Sequence, residues 1–261
     1  MPNPSARDEL ASSRRVRRND SIELRRRGRR ELLTLFPLLA AGCAGSALRA
    51  PPRAAAREPP PPAPLAPLMD RVVVQVIDTT GNLSPRSRVP SEVRLRDLVL
   101  YHGHACDGLM IAARGIAFGL ADLFDGGPVD RTDMAVATNG SVCYGDVAEY
   151  LTGARHRYGS MVVDAGLGEE WVILRRATGV AVRVALRPGV KPAAIGEKEA
   201  ALRAGACPPD LIAQVESFQH ELARRVWDAR PEAIFTLARV AYPYDPGKLR
   251  ADVGKRDCPP P

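Results

Sequence analysis

The 261-residue chain lacks the cysteine spacing that would place it quickly. None of its five cysteines, Cys43, Cys106, Cys143, Cys207 and Cys258, belongs to a CxxC pair. That spacing excludes a zinc ribbon and a thioredoxin-type redox motif. There is no internal repeat, so a solenoid is excluded as well. Net charge is missing where a polyanion-binding domain would need it. The overall balance is +7, but residues 1–67 hold thirteen Arg against six acids and account for all of it. Residues 68–261 sum to zero, which leaves the folded part without the electrostatic footprint of a nucleic-acid-binding protein.

A long hydrophobic run is also missing. Leu32 to Leu48 carries no charged residue, yet it falls short of the roughly 20 apolar residues that a spanning helix needs. Preceded by Arg25, Arg26, Arg27, Arg29 and Arg30, it suits the h-region of an export signal over residues 1–48. GRRELLTLF resembles a twin-arginine signal, and LLAAGC, ending at Cys43, resembles a lipoprotein cleavage box. These features predict an exported protein, periplasmic or tethered to the membrane surface through a lipid or the signal itself. Residues 49–67, RAPPRAAAREPPPPAPLAP, predict a disordered linker. Proline fixes φ and removes a donor, favouring extended polyproline II.

From Leu68 the pattern becomes that of a folded domain, with a loose tail over 246–261. Val72–Ile77 predicts a strand. Ser91 is placed as the cap of a helix through Leu95, Leu98 and Val99 that delivers His102, and Asp107 as the cap of the next. In that second helix Leu109, Ala113, Ile116, Leu120 and Leu123 recur at three- and four-residue spacing. Met134–Thr138 reads as a buried strand and Val142–Leu151 as a helix. Ser160–Val163, Trp171–Arg175 and Val180–Leu186 read as strands, the last two joined by a turn at Thr178-Gly179. Helices over Glu197–Ala204 and Pro209–Trp227 precede a closing strand, Phe235–Val240. The order gives an α+β single domain over 68–245: a small mixed or antiparallel sheet packed by helices, with two helices towards the C-terminus.

The chemistry concentrates in YHGHACDGL, residues 101–109. His102, His104 and Cys106 fall within five residues, with Gly103 allowing the backbone to bend between them. Nitrogen and sulfur donors suit Zn²⁺. Three successive donors converge only partly, so a further ligand must come from elsewhere. Cys143, at a predicted helix start beyond strand MAVAT, is the natural candidate. A helix N-terminus also lowers a nearby thiol pKa. Two alternatives stand beside metal binding: the histidines and cysteines merely pack, or Cys106 and Cys143 form a disulfide in an oxidising compartment.

HGHACDGL, followed by a small-residue helix containing Arg114, resembles the FmdE domain, a family that takes its name from formylmethanofuran dehydrogenase. NGSVCYGDVAEYLTG (139–153), RRATGVAVRVAL (175–186) and the stretch from Leu202 to Val240 resemble its later blocks. The likeness runs from Leu95 to Tyr242. It implies an α+β domain, often dimeric, with a metal held by His104, Cys106 and Cys143, and His102 next. Asp146 matches a family acid that orients a ligand or touches substrate. Three departures stand out. The family's Pro is Asp107 here. The cysteine and GKGN-like turn after the second block are replaced by Ala154 to Gly159, leaving His156 as the nearest substitute donor. A C-terminal zinc-finger module has no counterpart.

The expected function is an exported zinc-binding domain acting on or binding a small molecule, with Asp146 or His156 as the proton-transfer partner. The competing expectations are a non-catalytic metal- or ligand-binding module beside a redox partner, and a thiol redox protein using Cys106 and Cys143.

Overall fold

The computed structural model describes residues 63–79, 89–205 and 207–248. The stretch read as an export signal, Cys43, most of the proline-rich linker and the end of the tail lie outside the described residues. Among those described, no helix is long and apolar enough to cross a membrane.

The end of the linker departs from extended backbone. Ala63–Leu65 forms a 3₁₀ turn and α1 follows over Ala66–Met69, with Pro67 in its first turn. A proline there forfeits only an N–H that has no helical partner anyway. Leu65, Leu68 and Met69 are buried in the main core.

Two sheets follow. The first has three strands in the order β2 (Ser91–Arg94), β1 (Val72–Ile77), β3 (Val129–Asp130), with β1 antiparallel to β2 and parallel to β3. Ser91 therefore opens a strand rather than capping a helix. Gln75 pairs with Glu92 and Val76 with Ser91, and this pairing overrides the local capping preference. Helix α2, Leu95–His102, starts after Arg94, whose N–H is held by the Asp97 carboxylate at 2.7 Å.

The second sheet has five strands, in the order β5 (Met161–Val163), β4 (Met134–Thr138), β6 (Glu170–Arg175), β7 (Val180–Leu186), β8 (Phe235–Val240). All neighbours are antiparallel except β4 and β5. Both of its faces are covered, which is why all five residues of β4 are buried. One face, carrying Trp171, Ile173, Val182, Val184 and Phe235, belongs to the main core with helix α3, Asp107–Leu123. The other face carries Ala137, Val172 and Leu174 and is covered by Tyr242 and Tyr244.

Residues 244–248, the end of the described chain, are held in place. Arg176 donates to the carbonyls of Pro246 and Gly247, Lys248 N–H reaches Tyr158 O at 2.8 Å, and Tyr244 donates to Asp164 at 2.7 Å.

Helix α3 approaches the sheet closely because it presents glycines. A Cβ at Gly115 would lie 2.8 Å from Trp171 and 2.9 Å from Phe235, and one at Gly119 2.8 Å from Val184. Helices α4 (Val142–Thr152), α5 (Ala193–Arg203), α6 (Pro209–Asp228) and the short α7 (Pro231–Ile234) complete the α+β fold.

Candidate metal centre

The centre is built where α2 ends and α3 begins. Gly103 closes α2 in the left-handed conformation, φ +98°, with its N–H on Val99 O at 2.8 Å. An L side chain there would be strained, so glycine is what lets the chain reverse within two residues. The reversal brings His102, from the last turn of α2, beside His104, with ring centroids 4.6 Å apart. Cys106 caps α3. Its Sγ accepts the N–H of Leu109 at 3.4 Å. The cap is therefore the sulfur of Cys106 and not the carboxylate of Asp107, which occupies the first helical position and is buried.

Ligand atoms of His102, His104 and Cys106 all lie within 4.8 Å of one another. Cys106 Sγ is 3.7 Å from His102 Nε2 and 3.4 Å from Cys143 Sγ. A tetrahedral Zn²⁺, with Zn–S near 2.3 Å and Zn–N near 2.0–2.1 Å, would set its sulfurs about 3.8 Å apart and each sulfur about 3.5 Å from a nitrogen. His102, His104 and Cys106 thus form a group that could hold such a cation, and Cys143 borders it through its contact with Cys106. Cys143 comes from the first turn of α4. It can approach because residue 108 is glycine: a Cβ at Gly108 would sit 3.0 Å from both Cβ and Sγ of Cys143.

Asp146, one helical turn beyond Cys143, accepts from His102 Nδ1 at 2.8 Å. The His102 side chain is only 4% exposed, so this bond fixes its tautomer and leaves the Nε2 lone pair aimed at Cys106. A carboxylate behind a ligating histidine orients the ring and raises its basicity. The charge state of the other donors also favours ligation. Burial, then the neighbouring His102, holds the His104 imidazole below its ordinary pKa, so its neutral form prevails. The hydrogen bond from Cys106 lowers the Cys143 thiol, with His102 and Ser141 adding to it, while the same bond and burial push Cys106 up. A divalent cation would let both ionise.

His104, Cys106 and Cys143 line a cavity of about 340 Å³. Its other walls include Tyr144, Glu169, Lys191, Glu199 and Gln219. An adjoining cavity of about 480 Å³ shares Ser141, Glu169, Lys191, Glu199 and Arg203 with it. Lys191 Nζ lies 2.8 Å from both Asp107 and Glu199, and Gln219 donates to Glu199 at 3.2 Å.

Five of the six residues singled out from the sequence thus meet here: His102, His104, Cys106, Cys143 and Asp146. His156 is exposed on the 3₁₀ turn His156–Tyr158 and neither joins the donor group nor lines these cavities. Cys106, Cys143 and Cys207 are free thiols. Nothing in the local sequence of Glu169, Lys191 or Glu199 announces a place in the site. Tyr144 carries the one available signal, adjacency to Cys143.

The family model described as FmdE, Molybdenum formylmethanofuran dehydrogenase operon, matches residues 101–236, just over half of the chain. Among solved structures, an FmdE-like protein of tungsten formylmethanofuran dehydrogenase type from Syntrophus aciditrophicus is similar at 19% identity. The match covers 57% of this chain and 70% of that one, with a TM-score of 0.38. No curated protein matches.

Proposed function

The chain belongs to the FmdE family, and on that premise we propose that it is an exported domain that binds one zinc ion through His102, His104, Cys106 and Cys143 and takes up a small molecule as a fifth ligand of that ion. The observation that carries this reading is the convergence of two imidazoles and a thiol within 4.8 Å, with a second thiol 3.4 Å from the first. These donors come from two segments 37 residues apart, and three of them open onto the cavity. A bound zinc would supply Lewis acidity there. The chain's own residues do the rest. Asp146 holds His102 in the ligating tautomer, Gly108 makes room for Cys143, and the cavity walls seat the ligand. The arginine-rich leader and Cys43 support delivery to the periplasm or attachment to its membrane surface, and the family resemblance supports a homodimer.

The test is elemental analysis of the full chain purified without a metal-binding tag. One equivalent of zinc, lost in Cys106→Ser and in Cys143→Ser, is the expected result. Protein with free thiols and no bound metal would overturn it. Fractionation of cells producing the full chain, with Cys43→Ser beside it, checks the location.

The sulfur separation of 3.4 Å favours one further reading. In an oxidising compartment the two thiols could lose two electrons and two protons to an external oxidant and close as a disulfide. Thiol counts before and after reduction distinguish that state from the zinc-loaded one.

A further inference from the structure

Resting on the reading of the cavity as a small-molecule site beside a metal, we propose that Glu169 is its proton-transfer residue. Four observations carry the assignment. Glu169 lines both the cavity that reaches His104, Cys106 and Cys143 and the adjoining one, so its carboxyl borders the path a ligand would occupy.

Second, the carboxyl is held in place. It accepts from the hydroxyl of Tyr144, a residue that is 3% exposed, packs tilted against Trp171 with centroids 4.5 Å apart, and directly follows Cys143. A carboxyl fixed by a buried hydroxyl loses little entropy when it meets a ligand.

Third, Glu169 is the cavity acid left without a counter-ion. Asp107 and Glu199 share Lys191 at 2.8 Å each, whereas among the described residues Glu169 has no cation within ion-pair distance. A carboxylate locked in an ion pair is a poor proton acceptor, and one held only by a neutral hydroxyl stays available.

Fourth, the other acid near the centre is occupied. Asp146 is engaged by His102. In support, burial and then the charges of Asp107 and Glu199 raise the Glu169 pKa, against an opposing effect of Lys191. The group therefore exchanges its proton nearer neutrality than a solvated glutamate. The step is a simple transfer: an acidic O–H or N–H of the ligand breaks, its electron pair stays on the ligand, and the proton comes to rest on a Glu169 oxygen.

Acetohydroxamate is a suitable probe, because it gives up a proton when it ligates a metal. Its binding to the zinc-loaded full chain is measured by calorimetry at pH 8 in two buffers of different ionisation enthalpy, which counts the protons released. In the wild type Glu169 takes up that proton, so net release is smaller than in a variant without the carboxylate. Glu169→Gln is expected to keep the same zinc content, to release about one proton, and to bind the probe about ten- to a hundredfold more weakly. Tyr144→Phe, which removes the positioning hydroxyl, should fall between the two in affinity.

Equal proton release by wild type and Glu169→Gln overturns the assignment alone. Loss of zinc in Glu169→Gln also overturns it, since the residue would then serve the assembly of the centre. If the zinc-loaded wild type does not bind the probe at all, the reading of a small-molecule site on the metal falls and the assignment falls with it.

Discussion

At the scale of single residues, the hydrogen bond between Asp146 and His102 decides what the imidazole can do. His102 has two ring nitrogens and one lone pair to offer a metal. The Asp146 carboxylate accepts a hydrogen bond from Nδ1–H at 2.8 Å, which favours the tautomer whose Nε2 lone pair faces Cys106. Without Asp146 the ring can rotate or adopt the other tautomer, and each outcome lowers the population ready to ligate. Asp146→Ala is therefore expected to weaken zinc binding by about 10- to 100-fold, with a smaller loss in Asp146→Asn, whose amide oxygen can still accept. Competition against a chromophoric chelator measures both. Equal affinities for Asp146→Ala and the wild type would remove Asp146 from the centre.

At the scale of elements, α3 shows how one helix serves packing and chemistry together. Gly108, Gly115 and Gly119 are spaced seven and four residues apart and so share one face. At the N-terminal end that face meets Cys143; further along it meets Trp171, Phe235 and Val184. The two ends predict different phenotypes. Gly115→Ala gains helix propensity of about 1 kcal/mol but forces a methyl against two large buried rings, for a net loss of about 1–2 kcal/mol with zinc content unchanged. Gly108→Ala puts its methyl against the sulfur of Cys143 and should lose zinc affinity while the domain stays folded. Urea unfolding followed by metal analysis separates them. If both variants lost zinc alike, the division of labour along the helix would be wrong.

At the scale of the whole molecule, Lys191 joins parts that are distant in sequence. It ties Asp107, at the start of α3, to Glu199 on α5, which Gln219 links to α6. The Asp107 and Glu199 side chains are 5% and 10% exposed, so removing their cation strands two buried acids. Lys191→Met is expected to cost roughly 3 kcal/mol in urea unfolding, and adding Asp107→Asn should recover part of the loss.

The pH dependence follows from the sign of the shift. Burial alone would lower the Lys191 pKa, but Asp107 and Glu199 outweigh it and raise it above the ordinary value. A raised lysine contributes in full below its unfolded pKa of about 10.4 and loses that contribution as pH rises through the folded pKa. The stability difference between wild type and Lys191→Met should therefore hold from neutrality to about pH 10 and shrink only above it.

Much of this was legible in the sequence because it is local. The β-branched runs Val72–Ile77 and Val180–Leu186 form strands with those bounds. The spacing of the histidines and Cys106 marked a cluster that the fold does bring together, with Cys143 beside it, and Asp146 lies one helical turn from Cys143. Period and spacing are properties of neighbouring residues, so the chain carries them openly. Ser91 misled because strand pairing with β1 outcompeted its capping preference. The part played by Tyr242 and Tyr244 stayed hidden because only the assembled five-stranded sheet has a second face that needs a cover. Glu169, Lys191 and Glu199 stayed invisible for the same kind of reason. Each is an ordinary charged residue in its own segment, and only the packing of three segments around one cavity makes one of them a counter-ion, another a paired acid and the third an acid without an ion pair.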